Sequence, residues 1–322
     1  MLTVTLVAAL ASAALWQQWR HVAVEEAERE RQQAGWVLTG ALDWARLILR
    51  EDARTNQNTG AGDHLAEPWA VGLEEARLSS FLAADKNTDP PPTLDAFLSG
   101  AIQDQQGRLN WANLAQQGKL SEPDLHTFER LYSQLGLPDA ELATVARGWV
   151  QASLAGQGTA TQTASTASDA TPLLPKRLGQ LSWLGLSARS LQRLAPYTTV
   201  LPERTPLNLN TAPAELLVAA LPGLDMARAR RAVTQRALTP FKSLADARAV
   251  LGNTQAPLND AQHTTASRYF EVQGSLRLGQ RVVHERSLVL RNGLQVTTLW
   301  RERSAARAPQ PGENAGQAPS LQ

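Results

Sequence analysis

Gly35-Trp36-Val37-Leu38-Thr39-Gly40-Ala41-Leu42-Asp43-Trp44-Ala45-Arg46-Leu47-Ile48-Leu49-Arg50 is the stretch whose reading decides the fold. Its apolar residues recur at helical spacing, and Val37, Ala41, Trp44 and Ile48 form a stripe suited to helix packing. Outward toward the N-terminus the helical pattern continues without a break. A charged run, Glu25 to Arg31, comes first, then Trp16, Trp19, Arg20 and His21, then an uncharged segment from Met1 to Leu15. No proline occurs before Pro68, and only Gly35 and Gly40 weaken the pattern. Residues 1–52 are therefore predicted as one helix, a rod on the order of 75 Å long at about 1.5 Å per residue.

The first part of that rod reads as a membrane anchor. Leu2, Val4, Leu6, Val7, Leu10 and Leu15 supply the apolar surface, and Trp16, Trp19 and Arg20 close it as interfacial residues do. The apolar run falls short of the roughly 20 residues that span a hydrocarbon core. Ala11-Ser12-Ala13 would fit a signal-peptide cleavage site. Against cleavage stand the missing basic n-region and a helix that runs on past the cut. The expectation is a retained, single-pass anchor inserted over roughly residues 1–19, with the natural start upstream of Met1.

Bulk composition excludes more than it identifies. The 322 residues are 43% apolar, carry a net charge of +1 and include no cysteine. Disulfides, thiolate catalysis and cysteine-ligated metals are thereby absent, and no global charge favours nucleic acid. His21, His64, His126, His263 and His284 are scattered without metal-ligand spacing. No Walker loop, nucleophile elbow or dinucleotide fingerprint occurs. The chain reads as non-enzymatic, and no cofactor is expected.

The remaining chain divides by its periodicity. Polar, glycine-bearing loops are predicted at 53–63 and 84–93, and a β-hairpin around Asp104-Gln105-Gln106-Gly107. Helical patterns cover Glu122 to Leu154 with a stop at Gly136, then Ser187–Leu194, Ala214–Ala220, Met226–Gln235 and Leu244–Val250. Residues 156–171 are a Thr/Ser/Ala tract expected to be disordered. Tyr269–Leu278, Arg281–Arg291 and Gln295–Arg301 alternate around Gly279-Gln280 and Asn292-Gly293, the pattern of an antiparallel sheet. Strands before and after a helical block imply an α+β fold with a large all-α insert. The divisions are residues 1–52, 53–116 (first part of an α/β domain), 117–262 (inserted helical domain), 263–303 (C-terminal sheet) and 304–322 (disordered tail).

Within the insert, Leu221-Pro222-Gly223 followed by a small-residue helix resembles a helix-hairpin-helix unit. Gly223, Arg228, Arg230 and Arg231 would be its phosphate-binding residues, since such hairpins offer backbone N–H groups to phosphate. That reading makes the chain a membrane-anchored, competence-receptor-like DNA binder. Against it, Asp225 stands where a second glycine would let phosphate approach, and a carboxylate there repels it.

The order of these segments resembles the K class of minor pseudopilins of the type II secretion system (GspK). The resemblance rests on Gly35–Arg50, on Asp-Gln-Gln-Gly-Arg-Leu-Asn at 104–110, on Leu-Asn-Leu-Asn-Thr-Ala at 207–212, and on Arg-Tyr-Phe-Glu-Val at 268–272. It implies a pilin-like long helix and antiparallel sheet with an inserted all-α domain of SAM-like and helix-hairpin-helix-like units. It also implies a place capping or initiating the periplasmic pseudopilus that drives secretion across the outer membrane. The implied location is the bacterial inner membrane, with the globular part in the periplasm. Implied partners are the I- and J-class minor pseudopilins, other pseudopilins, the inner-membrane assembly platform and, with an upstream start, the prepilin peptidase. Most pilins carry an early glutamate that pairs with the adjacent subunit; here no acidic residue precedes Glu25. Family members often bind calcium in the insert. In this chain Arg147–Gln151 and the Thr/Ser/Ala tract replace the acid-rich stretch and leave Asp169 almost alone, so no calcium site is expected.

Overall fold

Six alanines and leucines fix the attitude of the long helix. Ala34, Leu38, Leu42, Ala45, Leu49 and Ala53 recur at intervals of three or four residues, and all are buried. They lie on helix α1 (Leu2–Thr59), the first element of a computed structural model that describes residues 2–78, 96–156, 172–252, 257–279 and 281–307. The predicted stripe is rotated from this face: Val37, Ala41 and Ile48 border the core, and Trp44 is exposed.

α1 outruns its predicted end at Asp52, and most of the expected 53–63 loop is helix. Ala53 is buried, Asn56 Nδ2 donates to Glu67 Oε1 at 2.9 Å, and the Thr55 and Thr59 hydroxyls bond carbonyls four residues back. Gly60, at φ +65°, then ends the helix.

Beneath α1 lies one five-stranded antiparallel sheet, made of β1 (Leu73–Arg77), β2 (Ala96–Asp104), β9 (Tyr269–Leu278), β10 (Arg281–Asn292) and β11 (Gln295–Arg307), in that spatial order. The three C-terminal strands match their predicted spans closely. β11 runs further than expected: Ser304 to Arg307 pair with Arg281 to His284, so the start of the predicted tail is strand. Residues 308–322, the predicted loop at 84–93 and all but the first residue of the 156–171 tract lie outside the described residues.

The segment between β2 and β9 is the helical insert. It contains α2 (Glu122–Leu135), α3 (Asp139–Gly156), α4 (Ala188–Leu194), α5 (Ala214–Ala220), α6 (Met226–Leu238) and α7 (Leu244–Leu251). Gly136 ends α2 at φ +59°, as predicted. One apolar cluster unites the insert, including Trp111, Phe128, Leu131, Trp149, Leu181, Leu216, Leu217 and Phe241. Trp111 and Phe128 pack with ring centroids 4.6 Å apart. Leu109, Trp111 and Leu114 belong to this cluster, so the insert's core begins before residue 117.

The hairpin expected at 104–107 does not form. After Asp104 the chain leaves the sheet, and the short strand β3 (Leu109–Asn110) pairs in parallel with β6 (Thr198–Thr199), as β7 (Leu207–Asn208) does with β8 (His263–Thr264), while β4 (Ala115–Gln116) pairs antiparallel with β5 (Lys119–Leu120). The turn residues have other work. Asp104 Oδ1 accepts from Gln106 N at 2.8 Å, Gln106 O accepts from Asn208 N at 2.8 Å, and Thr211 fills the space where a Gly107 Cβ would sit.

Candidate assembly surface

Two surfaces could carry function: the free length of α1 and the junction between sheet and insert. From Thr3 to Gln33 almost every α1 residue is exposed, and the first buried one is Ala34. Val4, Leu6, Val7, Leu10, Leu15, Trp16 and Trp19 all point into solvent, with Arg20 stacked 5.0 Å from the Trp16 ring. Among the described residues no helix is long and apolar enough to cross a membrane. Beyond the rod, α1 is tied to the sheet: Arg46 donates to Val296 O at 2.7 Å and Arg303 to Gly35 O at 3.1 Å.

At the far end of α1 a set of buried polar groups joins all parts of the molecule. Arg291 of β10 donates to Asp52 of α1 at 2.8 Å and to Asp63 of the following loop. Glu67 accepts from Asn56, from His64 N at 2.9 Å and from the Trp69 indole at 2.7 Å. Burial, then repulsion from Glu67 and Asp63, pushes Asp52 up to about 7 despite Arg291. Burial also raises Asp63 and Asp104. Asp52, Asp63 and Glu67 are, among the described residues, the one acidic trio close enough to share a cation. The Arg291 guanidinium already serves two of them, so the set does not fit calcium.

Sequence reasoning missed this junction as a site, although both motifs that build it were visible. Asp104 Oδ2 accepts from Thr211 Oγ1 at 2.6 Å, Ser267 Oγ at 2.7 Å and Asn208 Nδ2 at 3.0 Å. Asn208 Nδ2 also reaches Asp63 O, and Asn210 exchanges hydrogen bonds with the Phe241 backbone. Asn110 Nδ2 donates to Glu203 O at 2.7 Å, and its Oδ1 accepts from Leu201 N at 3.0 Å. The 104–110 and 207–212 motifs thus clasp each other across the base of the insert.

Of the hairpin residues, Gly223 and Arg228 meet and are already engaged. Asp225 caps α6, accepting from Arg228 N at 2.8 Å and pairing with Arg228 Nε at 3.0 Å. These bonds, the backbone one first, hold its carboxyl below the usual range. Arg228 further donates to Gly223 O, while Arg230 and Arg231 are exposed on α6. The helix end where phosphate would bind therefore carries its own carboxylate.

Comparison with known proteins agrees with this geometry. Residues 107–203 and 207–267 match two models described as type II secretion system (T2SS), protein K. The chain belongs to the type II secretion system protein K family. Protein K of Pseudomonas aeruginosa is 28% identical over 253 residues, covering 74% of this chain and 70% of the relative. Protein K of Pectobacterium carotovorum is 28% identical over 314 residues, covering 89% and 88%. Protein K of Aeromonas hydrophila is 29% identical over 274 residues, covering 70% and 80%. A chain from the crystal structure of the GspK-GspI-GspJ complex of enterotoxigenic Escherichia coli superposes with a TM-score of 0.61 at 18% identity. That match covers 87% of this chain and 98% of the other, and shows the shared fold. As a protein K family member the chain is a minor pseudopilin of type II secretion. The two matched regions meet where Thr211 packs against Gly107, beside the Asp104–Asn208 junction, and 207–267 contains the hairpin first considered for DNA.

Proposed function

We propose that this chain caps and initiates the periplasmic pseudopilus, with I- and J-class minor pseudopilins as its immediate partners. The observation that carries the reading is the placement of the insert. The globular head begins at Ala34, and the insert is clasped at the level of Asp52 and Asp63, the end of α1 farthest from its free rod. A bulky domain there obstructs a further subunit above, while the rod below stays open to neighbours. The protein K relative solved with GspI and GspJ supports the choice of partners.

In this reading the run containing Leu2, Val4, Leu6, Val7, Leu10 and Leu15, closed by Trp16, Trp19 and Arg20, is the membrane-inserted part of an inner-membrane protein. It is released into the filament on assembly. Co-expression with the I- and J-class proteins of the same organism, followed by affinity capture, tests the proposal. A ternary complex is expected, and persistent purification of this chain alone counts against it.

A further inference from the structure

The face of the sheet under α1 has a gap in it. Row by row, Leu98 lies opposite Leu276, Gly100 opposite Gly274, and Ile102 opposite Val272. On β2 and β9 the middle row has no side chains of its own, with Leu38 of α1 reaching over Gly274, and on β10 it continues with Glu285, the next row with Ser287. α1 lies mainly over β9, β10 and β11, and the β1–β2 side is left open. The result is a hollow of about 290 Å³ between α1 and the sheet. Gly100, Gly274 and Ser287 form its floor, Ala41, Ala45, Ile48 and Trp69 its walls, and Trp44 and Val71 its rim.

The hollow has the composition of a recognition pocket: apolar walls and few polar groups. Those polar groups differ in kind. Glu285, buried, is matched by Arg301 at 3.1 Å and by Arg303, so the floor presents no unbalanced charge. Ser287 is 1% exposed, and its hydroxyl has no hydrogen-bond partner. Leaving such a group unmatched is costly. An occupant with an apolar body and an uncharged, hydrogen-bonding tip answers both features.

We infer that this hollow receives one large side chain, an aromatic residue with a polar tip, from the helix of a neighbouring pseudopilin lying along α1. The inference rests on the assembly reading above. Three observations select a protein helix. Trp36, Gly40, Trp44 and Leu47 form an exposed strip of α1 that runs along the helix and into the rim at Trp44. A helix packed on that strip, seated in the notch at Gly40, crosses the mouth. The balanced Glu285 excludes a charged tip. Finally, Ala41 lies about 33 Å of helix beyond Trp19, too far for a lipid tail to reach while the apolar run is in the bilayer.

The test uses the full chain with its I- and J-class partners and a photo-crosslinking benzoylphenylalanine at Val71, a position 73% exposed. A crosslink to a partner helix is expected. Val71→Asp, which leaves the interior untouched, and Ala41→Trp, which fills the hollow, should each reduce partner capture about tenfold. Ser287→Ala should reduce it less, and Leu238→Asp, at an exposed position of the insert, not at all. If wild-type chain captures no partner, the assembly reading itself fails. If the complex forms but neither Val71→Asp nor Ala41→Trp weakens it and the crosslink misses both partners, the pocket assignment alone is overturned. It is equally overturned if the crosslink joins two copies of this chain. So it is if native mass spectrometry finds a lipid that Ala41→Trp displaces.

Discussion

Asn208 Nδ2 and Asp104 Oδ2 meet at 3.0 Å inside the molecule, although about a hundred residues separate them in the chain. The contact ties the start of the insert to its middle, and Ser267 Oγ, which donates to the same carboxylate at 2.7 Å, brings in its end. Four donors converge on the Asp104 carboxylate: Gln106 N, Asn208, Thr211 and Ser267.

Replacing that carboxylate strands buried donors. Asp104→Ala should lower stability by about 3–5 kcal/mol, the scale expected when several buried groups lose their partner. Urea melts of the detergent-solubilised chain measure this. Limited proteolysis should then cut first near residues 104–107 or 204–208.

The Asp52 cluster sets a pH dependence whose sign follows from burial. Asp52 is raised in the folded state to about 7 from an ordinary 3.8, so the folded chain holds a proton that the unfolded chain has lost. Stability is full below the lower value and declines as pH rises through the window to about 7, by at most about 1.4 kcal/mol per unit. Asp63, also raised by burial, acts in the same direction. Thermal melts from pH 4 to 8 should show a falling melting temperature, and Asp52→Asn should flatten the slope.

Those two motifs were visible in the sequence; their meeting was not. The three C-terminal strands were legible because alternation and the Gly279 and Asn292-Gly293 turns agree. The insert helices were legible through their spacing and caps. Three points went astray for identifiable reasons. Asp104-Gln105-Gln106-Gly107 has hairpin chemistry, but its side chains bond residues near 199–211 and 268, which no local pattern reveals. α1 has apolar residues on two adjoining faces, so periodicity could not say whether Leu38 and Leu42 or Val37 and Trp44 meet the sheet. Its polar end was read as a loop because Asn56 finds Glu67 only after folding. Of the assembly surface, the rod was readable; the hollow was not, since it depends on Gly100 lying opposite Gly274.

Trp69 offers a test of the sheet–helix core apart from the insert. It is buried, packs edge-on against Phe270 at 5.2 Å and donates to Glu67. Trp69→Ala should cost about 3–5 kcal/mol. Near-ultraviolet circular dichroism and urea melts should show the loss.

The hairpin in the insert should ignore nucleic acid. Asp225 occupies the α6 N-terminus and engages Arg228. Gel shifts with linear duplex DNA at micromolar protein and low salt should therefore show no specific band. The Arg228/Arg230/Arg231 triple alanine should leave both that result and partner capture unchanged. A salt-sensitive band abolished by the triple variant would overturn this view of α6.

The clasp at the base of the insert has a mechanical meaning. A thrust along α1 leaves it at Asp52 and enters β10 through Arg291, which also holds Asp63. From there it crosses to the insert through Asn208, Asp104 and Thr211 in parallel. Each link is a direct hydrogen bond between buried or half-buried groups, and none relies on a slack tether. Displacement at the foot of the molecule becomes displacement at its crown with little lost to bending: the head of a piston rather than a weight on a string.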